Sequence, residues 1–377
     1  MYKYSFLLIL LVACAQENEL VKVEFSKTEK NIPITSDYFG QIYKPVVQPT
    51  DSSLLVFSID RNSNAIELFD LDNTRPIKRI TLDYDGPNGI GGTLQEIFPI
   101  NKDSIWVLSD YDLSLINETG EIRSKIDIYN NSNFPDYFLH PKGTLGRYNI
   151  YFDRHKNKIY GRFINKNITR EEVKYYDEPI EGFISLEDTT YYPLDITYPE
   201  IYHQEYQYGV LSYVSRTVAN DDVFIYTYHV DPSIYLYQMK SAELIKKEFE
   251  GFPSPKGLLR DQVDQMDLLE NLLENYVYLE VLYDPFRNLY YQFILGETEV
   301  KQSNGNYTDP GKKPIYLRIF NDNFTNYGII DLSYKTYLPV NCFVTEEGLW
   351  INKETSFNKE NVENLIQYDV YDFSTIE

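Results

Sequence analysis

A short β-rich unit recurs along the chain and limits the folds that it can adopt. In the first unit, apolar runs at residues 54–59 and 65–71 flank a polar turn at 60–64, and a third run follows at 76–82. Such runs, separated by turn residues, predict antiparallel strands that pair as a meander. The third strands of the six units carry the anchor residues Leu68, Leu115, Ile184, Leu236, Leu317 and Ile366.

The spacing of these anchors predicts the architecture. Successive anchors are 47, 69, 52, 81 and 49 residues apart, and the three shorter spacings are close to the repeat of about 40–50 residues in β-propellers. Insertions explain the longer spacings, because residues 165–179 are polar and residues 257–276 carry apolar side chains at helical spacing. We therefore expect an all-β, six-bladed propeller with one helical insertion. No linker divides residues 20–377, so one domain is favoured over a pair of β-sandwiches.

The last unit predicts how the ring closes. It supplies three strands, at residues 338–344, 349–352 and 365–373, and then the chain ends. An open edge is unfavourable in a propeller. Because residues 20–26 alternate apolar and polar side chains and belong to no other unit, we expect them to form an N-terminal strand that closes the ring beside 365–373.

The N-terminus has the form of a targeting segment. Lys3 precedes an apolar run at residues 6–12, and Ala13 and Cys14 follow. A membrane-spanning helix needs roughly 20 apolar residues, so this run fits a secretory signal peptide better.

The segment Leu11-Val12-Ala13-Cys14 resembles the lipobox of bacterial lipoproteins, whose cysteine is acylated. The resemblance implies a signal peptide at residues 1–13, lipidation of Cys14 and a tether at 14–19. An unlipidated cysteine at the end of an ordinary signal peptide is the alternative. Acidic residues in the tether resemble the surface-export signal of Bacteroidota lipoproteins. The expected location is the outer membrane, facing either the periplasm or the cell surface.

Composition limits the classes of partner. The formal net charge is −22, from 35 basic and 57 acidic residues. This charge argues against nucleic acid and against anionic membrane surfaces as general partners. The chain has 36 Tyr and 21 Phe beside 4 His and 2 Cys, which favours strands and argues against a Cys/His zinc site. With Cys14 lipidated, Cys342 is expected to be a small core residue.

The lipobox, the six units and the sequence Asp-Gly-Pro-Asn-Gly-Ile-Gly-Gly at residues 85–92 together resemble domain-of-unknown-function family 4221. These are Bacteroidota lipoproteins with a TolB-like six-bladed propeller. The resemblance implies the fold and the envelope location but supplies no activity. We expect the glycines of residues 85–92 to let the chain cross between blades.

Catalytic motifs are absent from the sequence, which contains neither G-x-S-x-G nor H-E-x-x-H, and no catalytic residue is predicted. Asp83 and Asp85 are candidate oxygen ligands for calcium, the one cofactor that the sequence suggests. Leu94 stands where an EF-hand loop has its glutamate, so a solvated turn is the alternative.

Candidate binding residues lie in the loops that enter the first strand of each blade, because these loops should surround one mouth of the central channel. The loops are residues 83–93, 133–147, 197–208 and 251–275. The predicted ligand-binding residues within them are His140, Arg147, Tyr202, His203 and Tyr208. The alternatives are that Arg147 pairs with a carboxylate and that the tyrosines pack between blades.

The sequence therefore favours a lipid-anchored, non-enzymatic binding or scaffold protein that contacts the membrane through Cys14 and recognises an envelope protein, peptide or glycan. A cation-dependent propeller hydrolase is the alternative function. Inward-facing Asp, Glu, Asn and His side chains from several first strands would favour the hydrolase, and an aromatic cleft without a cation would favour the binding protein.

Overall fold

The computed structural model describes residues 23–35, 38, 42–49, 53–140, 146–204, 206–220, 223–249, 252–259, 263–332, 337–353 and 364–374. The strands in the first half of the chain are β1 (Ser26–Pro33), β2 (Val46–Pro49), β3 (Leu54–Asp60), β4 (Ala65–Asp70), β5 (Arg75–Thr81), β6 (Glu96–Asn101), β7 (Ser104–Leu108), β8 (Asp112–Ile116), β9 (Ile122–Asp127), β10 (Tyr137–Leu139), β11 (Tyr151–Asp153), β12 (Lys158–Gly161), β13 (Phe163–Asn165), β14 (Gly182–Ser185) and β15 (Thr190–Pro193). Those in the second half are β16 (Tyr206–Gln207), β17 (Val214–Asn220), β18 (Val223–Tyr228), β19 (Ile234–Gln238), β20 (Glu243–Lys247), β21 (Leu258–Leu259), β22 (Val277–Asp284), β23 (Leu289–Leu295), β24 (Ile315–Asn321), β25 (Asn326–Leu332), β26 (Tyr337–Thr345), β27 (Gly348–Lys353) and β28 (Leu365–Asp372).

Twenty-four of these strands form six four-stranded antiparallel sheets, the blades of a propeller, and the other four pair as β10 with β13 and β16 with β21. Blade 1 contains β2–β5, blade 2 contains β6–β9, blade 3 contains β11, β12, β14 and β15, blade 4 contains β17–β20, blade 5 contains β22–β25, and blade 6 contains β26–β28 with β1. All six anchor residues lie in the third strand of their blade. The all-β, six-bladed prediction is therefore confirmed.

An N-terminal strand closes the ring, as predicted, but the segment named for it was wrong. The closing strand is β1, which pairs antiparallel with β28 so that Ser26 lies opposite Asp372 and Pro33 opposite Leu365. Residues 20–22 lie outside the described part of the chain, and Val23 and Phe25 precede the strand. The apolar residues of this segment do pack on the protein without being in a strand. Val23 is buried, and the Phe25 ring centroid lies 5.3 Å from that of Tyr371. Strand β1 itself is polar because it is the outermost strand of its blade.

A recurring turn joins several strands. Each example begins with an Asp whose carboxylate accepts hydrogen bonds from the backbone N–H groups two and three residues later, and it ends with an Asn of positive φ. This arrangement uses the tolerance of Asn for left-handed backbone and the tendency of Asp to bond its own turn. The examples are Asp60 to Asn64, Asp153 to Asn157 and Asp284 to Asn288.

The predicted helical insertion contains α1 (Gln265–Glu274). Asp264 caps its N-terminus through the backbone N–H groups of Met266 and Asp267, as expected for a capping box. At the other end the buried Lys313 Nζ donates to the carbonyl oxygens of Leu272, Leu273 and Asn275, at 2.7, 2.8 and 2.8 Å. Lys313 thereby fixes the helix to blade 5.

The other insertion, residues 165–179, contains a 3-10 turn at Val173–Asp177. No helix in the described part of the chain combines the length and apolar character needed to cross a bilayer.

Candidate functional site

The two faces of the propeller differ in their loops. Because neighbouring strands are antiparallel, the first strand of each blade runs from the face where the chain enters the blade to the face where it turns into the second strand. We call these the crossing-loop face and the hairpin face. Residues 83–93 belong to the crossing-loop face, whereas the turns after β22 and β26 belong to the hairpin face.

A cavity of about 1040 Å³ opens on the hairpin face, where blades 4, 5, 6 and 1 meet the channel. Its aromatic wall contains Phe343 and Trp350, which stack with ring centroids 5.3 Å apart. Phe286, which is 51% exposed, lies at the edge. Its aliphatic lining residues are Val46, Val47, Leu54, Leu71, Val218, Leu282 and Val344, and Lys30 lies in the lining with the acidic Asp72, Glu346 and Glu347.

Arg147 and Asn149 bring polar groups to this cavity. The Arg147 Nε atom lies 3.5 Å from Glu280 Oε1, and Arg147 Nη2 donates to the carbonyl oxygen of Cys342. Glu280 is fully buried, and this burial raises the pKa of its carboxyl group while Arg147 opposes the shift. Asn149 Oδ1 accepts no hydrogen bond from the described residues. The cavity therefore combines a guanidinium group with an amide that can accept from a ligand.

A second buried ion pair lies where the first strands β2 and β6 begin, toward the crossing-loop face. Lys44, which precedes β2, donates to Glu96 at the start of β6. Burial raises the pKa of Glu96, and Lys44 opposes the shift. Glu96 and Glu280, two buried first-strand carboxylates in the described part of the chain, are thus each next to a cation. The first strands present mixed charges rather than the carboxylate-rich ring that would favour the hydrolase.

Asp83 and Asp85 lie in an exposed loop of the crossing-loop face. Asp83 forms an isolated parallel bridge with Gly89, and its carbonyl oxygen accepts from the Ile90 N–H. A Cβ atom at Gly89 would meet the Asp85 backbone at 2.3 Å, so glycine is required there. Across the described residues, no three His, Cys, Asp or Glu side chains are grouped so as to hold a metal ion. Calcium binding by Asp83 and Asp85 stays a prediction.

A serine and a histidine approach each other inside blade 4. The Ser215 Oγ atom lies 3.3 Å from His229 Nε2, and both side chains are fully buried. Burial lowers the pKa of His229 to about 3, and the group that opposes this shift is the backbone of Val210 rather than a carboxylate. The pair therefore lacks the orienting carboxylate of a catalytic triad.

The predicted binding residues are separated by the fold. Arg147 lies at the cavity of the hairpin face and pairs with Glu280, which is the alternative weighed from the sequence. His140 lies on the crossing-loop face, where its ring meets Phe138 edge-on at 5.4 Å. The large cavity thus opens on the face opposite to the one expected to bind a ligand.

Tyr202 and Tyr208 are 0% and 3% exposed, which agrees with the alternative that the tyrosines pack between blades. Two 3-10 turns fold this loop inward, and Tyr202 stacks on Tyr176 at 5.3 Å. The Tyr202 and Tyr208 hydroxyls donate to the carbonyl oxygens of Leu211 and Ile201, respectively.

His203 is partly exposed, and both of its ring nitrogens are engaged. Nδ1 lies 2.9 Å from Asp177 Oδ1, and Nε2 lies 2.9 Å from the Tyr198 carbonyl oxygen. Cys14 lies outside the described residues, so its lipidation stays a prediction. Cys342 is buried, as expected of a core residue.

Two buried polar clusters between blades 3 and 4 were not predicted from the sequence. Glu181 Oε2 accepts from the Tyr148 hydroxyl at 2.8 Å, the Tyr226 hydroxyl at 2.9 Å and Arg216 Nε at 3.1 Å. The sequence held a signal for this cluster, because Arg216 is the one charged residue of strand β17.

In the second cluster, the buried Arg162 Nη2 lies 3.0 Å from the Tyr175 hydroxyl and 2.8 Å from that of Tyr198. Burial on its own would raise the pKa of Tyr175, but Arg162 and the Tyr198 hydrogen bond outweigh it and lower the value. Burial raises the pKa of Tyr198 well above its ordinary value.

The protein is thus a six-bladed β-propeller with a concave site, the cavity of the hairpin face. Residues 19–328 match the model of the family described as domain of unknown function DUF4221, and the chain belongs to this family.

Solved structures agree with this assignment. A DUF4221 family member from Bacteroides vulgatus is similar over 93% of this chain and 98% of its own, with 19% identity and a TM-score of 0.78. A putative exported protein from Bacteroides fragilis is similar over 91% of this chain and 94% of its own, with 12% identity and a TM-score of 0.52. At these identities the likeness establishes the fold alone. No curated protein matches the chain.

Proposed function

We propose that this protein is an exported, lipid-anchored binding protein whose ligand occupies the cavity of the hairpin face. The observation that carries the proposal is the cavity itself, which has aromatic and aliphatic walls and polar groups from Arg147 and Asn149. Small-molecule sites are typically concave, mostly apolar and equipped with a few convergent polar groups, with volumes of about 300–1,000 Å³. The cavity matches this description in size and lining.

The lining indicates the chemistry of the ligand. An apolar body would lie against Phe343, Trp350 and the aliphatic wall, while a polar group that both donates and accepts would meet Asn149 and Arg147. Glu347 pairs with the lining residue Lys30 at 2.8 Å, and the remaining acidic residues Asp72 and Glu346 disfavour a polyanion. We therefore propose a small amphipathic molecule with a neutral polar head, such as an amide.

Binding is favoured over hydrolysis because each channel carboxylate is next to a cation. Glu96 and Glu280 are both buried beside Lys44 and Arg147, respectively. Such pairs stabilise the ionised carboxylates and leave less negative charge to attract a divalent cation.

The proposed anchor is the acylated Cys14. Support comes from the lipobox-like Leu11-Val12-Ala13-Cys14 and from the similar fold of the Bacteroides fragilis protein described as a putative exported protein. Two acyl chains suffice for stable anchoring whereas one is marginal. Cys14→Ser should therefore move the protein from the membrane fraction to the soluble fraction or leave an unprocessed precursor. Continued lipid labelling of that variant would contradict the proposal.

The cavity can be tested by filling it. The double variant Val47→Phe/Val218→Phe adds two rings to opposite parts of the lining, and Ile77→Phe/Val173→Phe adds the same rings at positions 48% and 43% exposed. In a thermal-shift screen of amphipathic amides, hits should stabilise the parent and the control pair but not the filled variant. Hits that stabilise the filled variant equally would show that the cavity is not the site.

A further inference from the structure

A continuous row of aromatic rings lies on the crossing-loop face, away from the cavity. Tyr111 and Tyr129 are 50% and 41% exposed, and their ring centroids are 5.8 Å apart. The Tyr129 ring contacts that of Phe138 at 5.7 Å, and Phe138 contacts His140 at 5.4 Å. We call these four residues the aromatic row. Large exposed side chains are ordinary when scattered singly, whereas a contiguous group marks an interaction site.

The backbone holds the row in place. Tyr111 lies in the turn between β7 and β8, where its N–H donates to the Gly91 carbonyl oxygen at 3.2 Å and its own carbonyl oxygen accepts from Ile128 at 2.8 Å. The His140 N–H donates to the Arg162 carbonyl oxygen at 2.7 Å. Rings on a fixed backbone lose little conformational entropy when they bind a ligand.

The groups around the row both donate and accept hydrogen bonds. Asp127, Asn130 and Asp136 are exposed beside it. Lys166 Nζ lies 5.1 Å from the Tyr129 ring centroid and donates to the Pro135 carbonyl oxygen at 3.1 Å. With Tyr111 and Tyr129 50% and 41% exposed, their hydroxyls can serve a ligand.

We propose that the aromatic row binds a neutral oligosaccharide. The C–H faces of a sugar ring are apolar and stack on exposed aromatic rings, and its hydroxyls both donate and accept, which suits the mixed groups around the row. The charge pattern supports a neutral ligand. Asp127 and Asp136 disfavour a phosphate or an acidic peptide, while Lys166 already lies over Tyr129 and disfavours a second cation there.

The test uses neutral hexasaccharides and matched tyrosine variants. Calorimetry with cellohexaose, maltohexaose, xylohexaose and chitohexaose should detect binding of at least one to the parent protein. Tyr111→Ala and Tyr129→Ala should each weaken that binding by about fivefold or more. Tyr192→Ala, which removes a ring of 41% exposure from blade 3, should leave it unchanged, as should Tyr129→Phe, which keeps the ring.

Three results would overturn the proposal: no binding of any of the four sugars, equal binding by both ring-deletion variants, or binding of peptides alone at this surface. The cavity-filled variant Val47→Phe/Val218→Phe should bind the sugar like the parent. The two sites can therefore fail or succeed independently.

Discussion

Replacing Glu181 should disrupt the contact between blades 3 and 4. Its fully buried carboxylate receives hydrogen bonds from the Tyr148 and Tyr226 hydroxyls and from Arg216 Nε. Glu181→Gln conserves the shape but removes the charge, so Arg216 becomes an uncompensated buried cation and the two hydroxyls lose a charged acceptor. Breaking a buried ion pair costs about 3–5 kcal/mol. Arg216 keeps its place 4.5 Å from the Phe224 ring centroid, so we expect a loss of about 3 kcal/mol.

The assay is urea-induced unfolding of four proteins: the parent, Glu181→Gln, Arg216→Met and the double variant. Because the two residues contact each other, the double variant should lose less than the sum of the single losses, by about 1.5 kcal/mol or more. Glu187→Gln, at an exposed position near the same strand, should be neutral within about 0.5 kcal/mol. A loss below about 1 kcal/mol for Glu181→Gln, or strict additivity, would refute the reasoning.

Four further outcomes follow from named contacts. Lys313→Met removes the donor to three carbonyl oxygens at the end of α1 and should cost about 1–3 kcal/mol in urea unfolding, whereas Lys102→Met at an exposed position should not. Burial lowers the pKa of Lys313 to about 7 from 10.5, so the unfolded chain binds more protons between these values. Stability should rise with pH across that window more in the parent than in Lys313→Met, and identical slopes would contradict this. Because the pKa of Tyr175 is lowered beside Arg162, tyrosinate absorbance should appear at lower pH in the parent than in Tyr175→Phe, and superimposable titrations would count against the cluster. Deleting residues 26–33 should lower the melting temperature markedly because it exposes β28, while deleting 15–19 should not; equal melting temperatures would exclude closure by β1.

The fold could be predicted largely because its signal is local and repeated. Each third strand buries an apolar residue such as Leu68 or Ile184, and the turns between strands contain Asp, Asn and Gly. The closing strand β1 escaped prediction for the opposite reason. It is an outer strand with one buried residue, Ile32, so its polar sequence carries no periodic pattern.

The candidate sites could be predicted less well because they depend on how blades pack. Tyr202 lies in a loop, yet it is buried because two 3-10 turns carry it into the space between blades. Arg147 was chosen as a loop residue of one face, but its side chain extends to a cavity on the other. Tyr111 and Tyr129 are unremarkable in sequence, and their contact arises only because a turn and a strand end meet on blade 2. Contacts of this kind depend on tertiary structure, so the local spacing of residues in the sequence does not predict them.

The binding cavity can be tested most directly with its own tryptophan. The chain has two Trp residues: Trp350 lines the cavity, whereas Trp106 is buried in a different apolar cluster. Trp106→Phe therefore leaves a single reporter in the cavity wall, and Trp350→Phe leaves a single reporter outside it.

A ligand from the amide screen should be titrated into both variants while emission is recorded. We predict that the emission of Trp106→Phe changes and saturates, with the half-maximal change at the dissociation constant measured by calorimetry. The emission of Trp350→Phe should stay constant. Saturable calorimetric binding with no change in the emission of Trp350 would contradict the assignment of the ligand to this cavity.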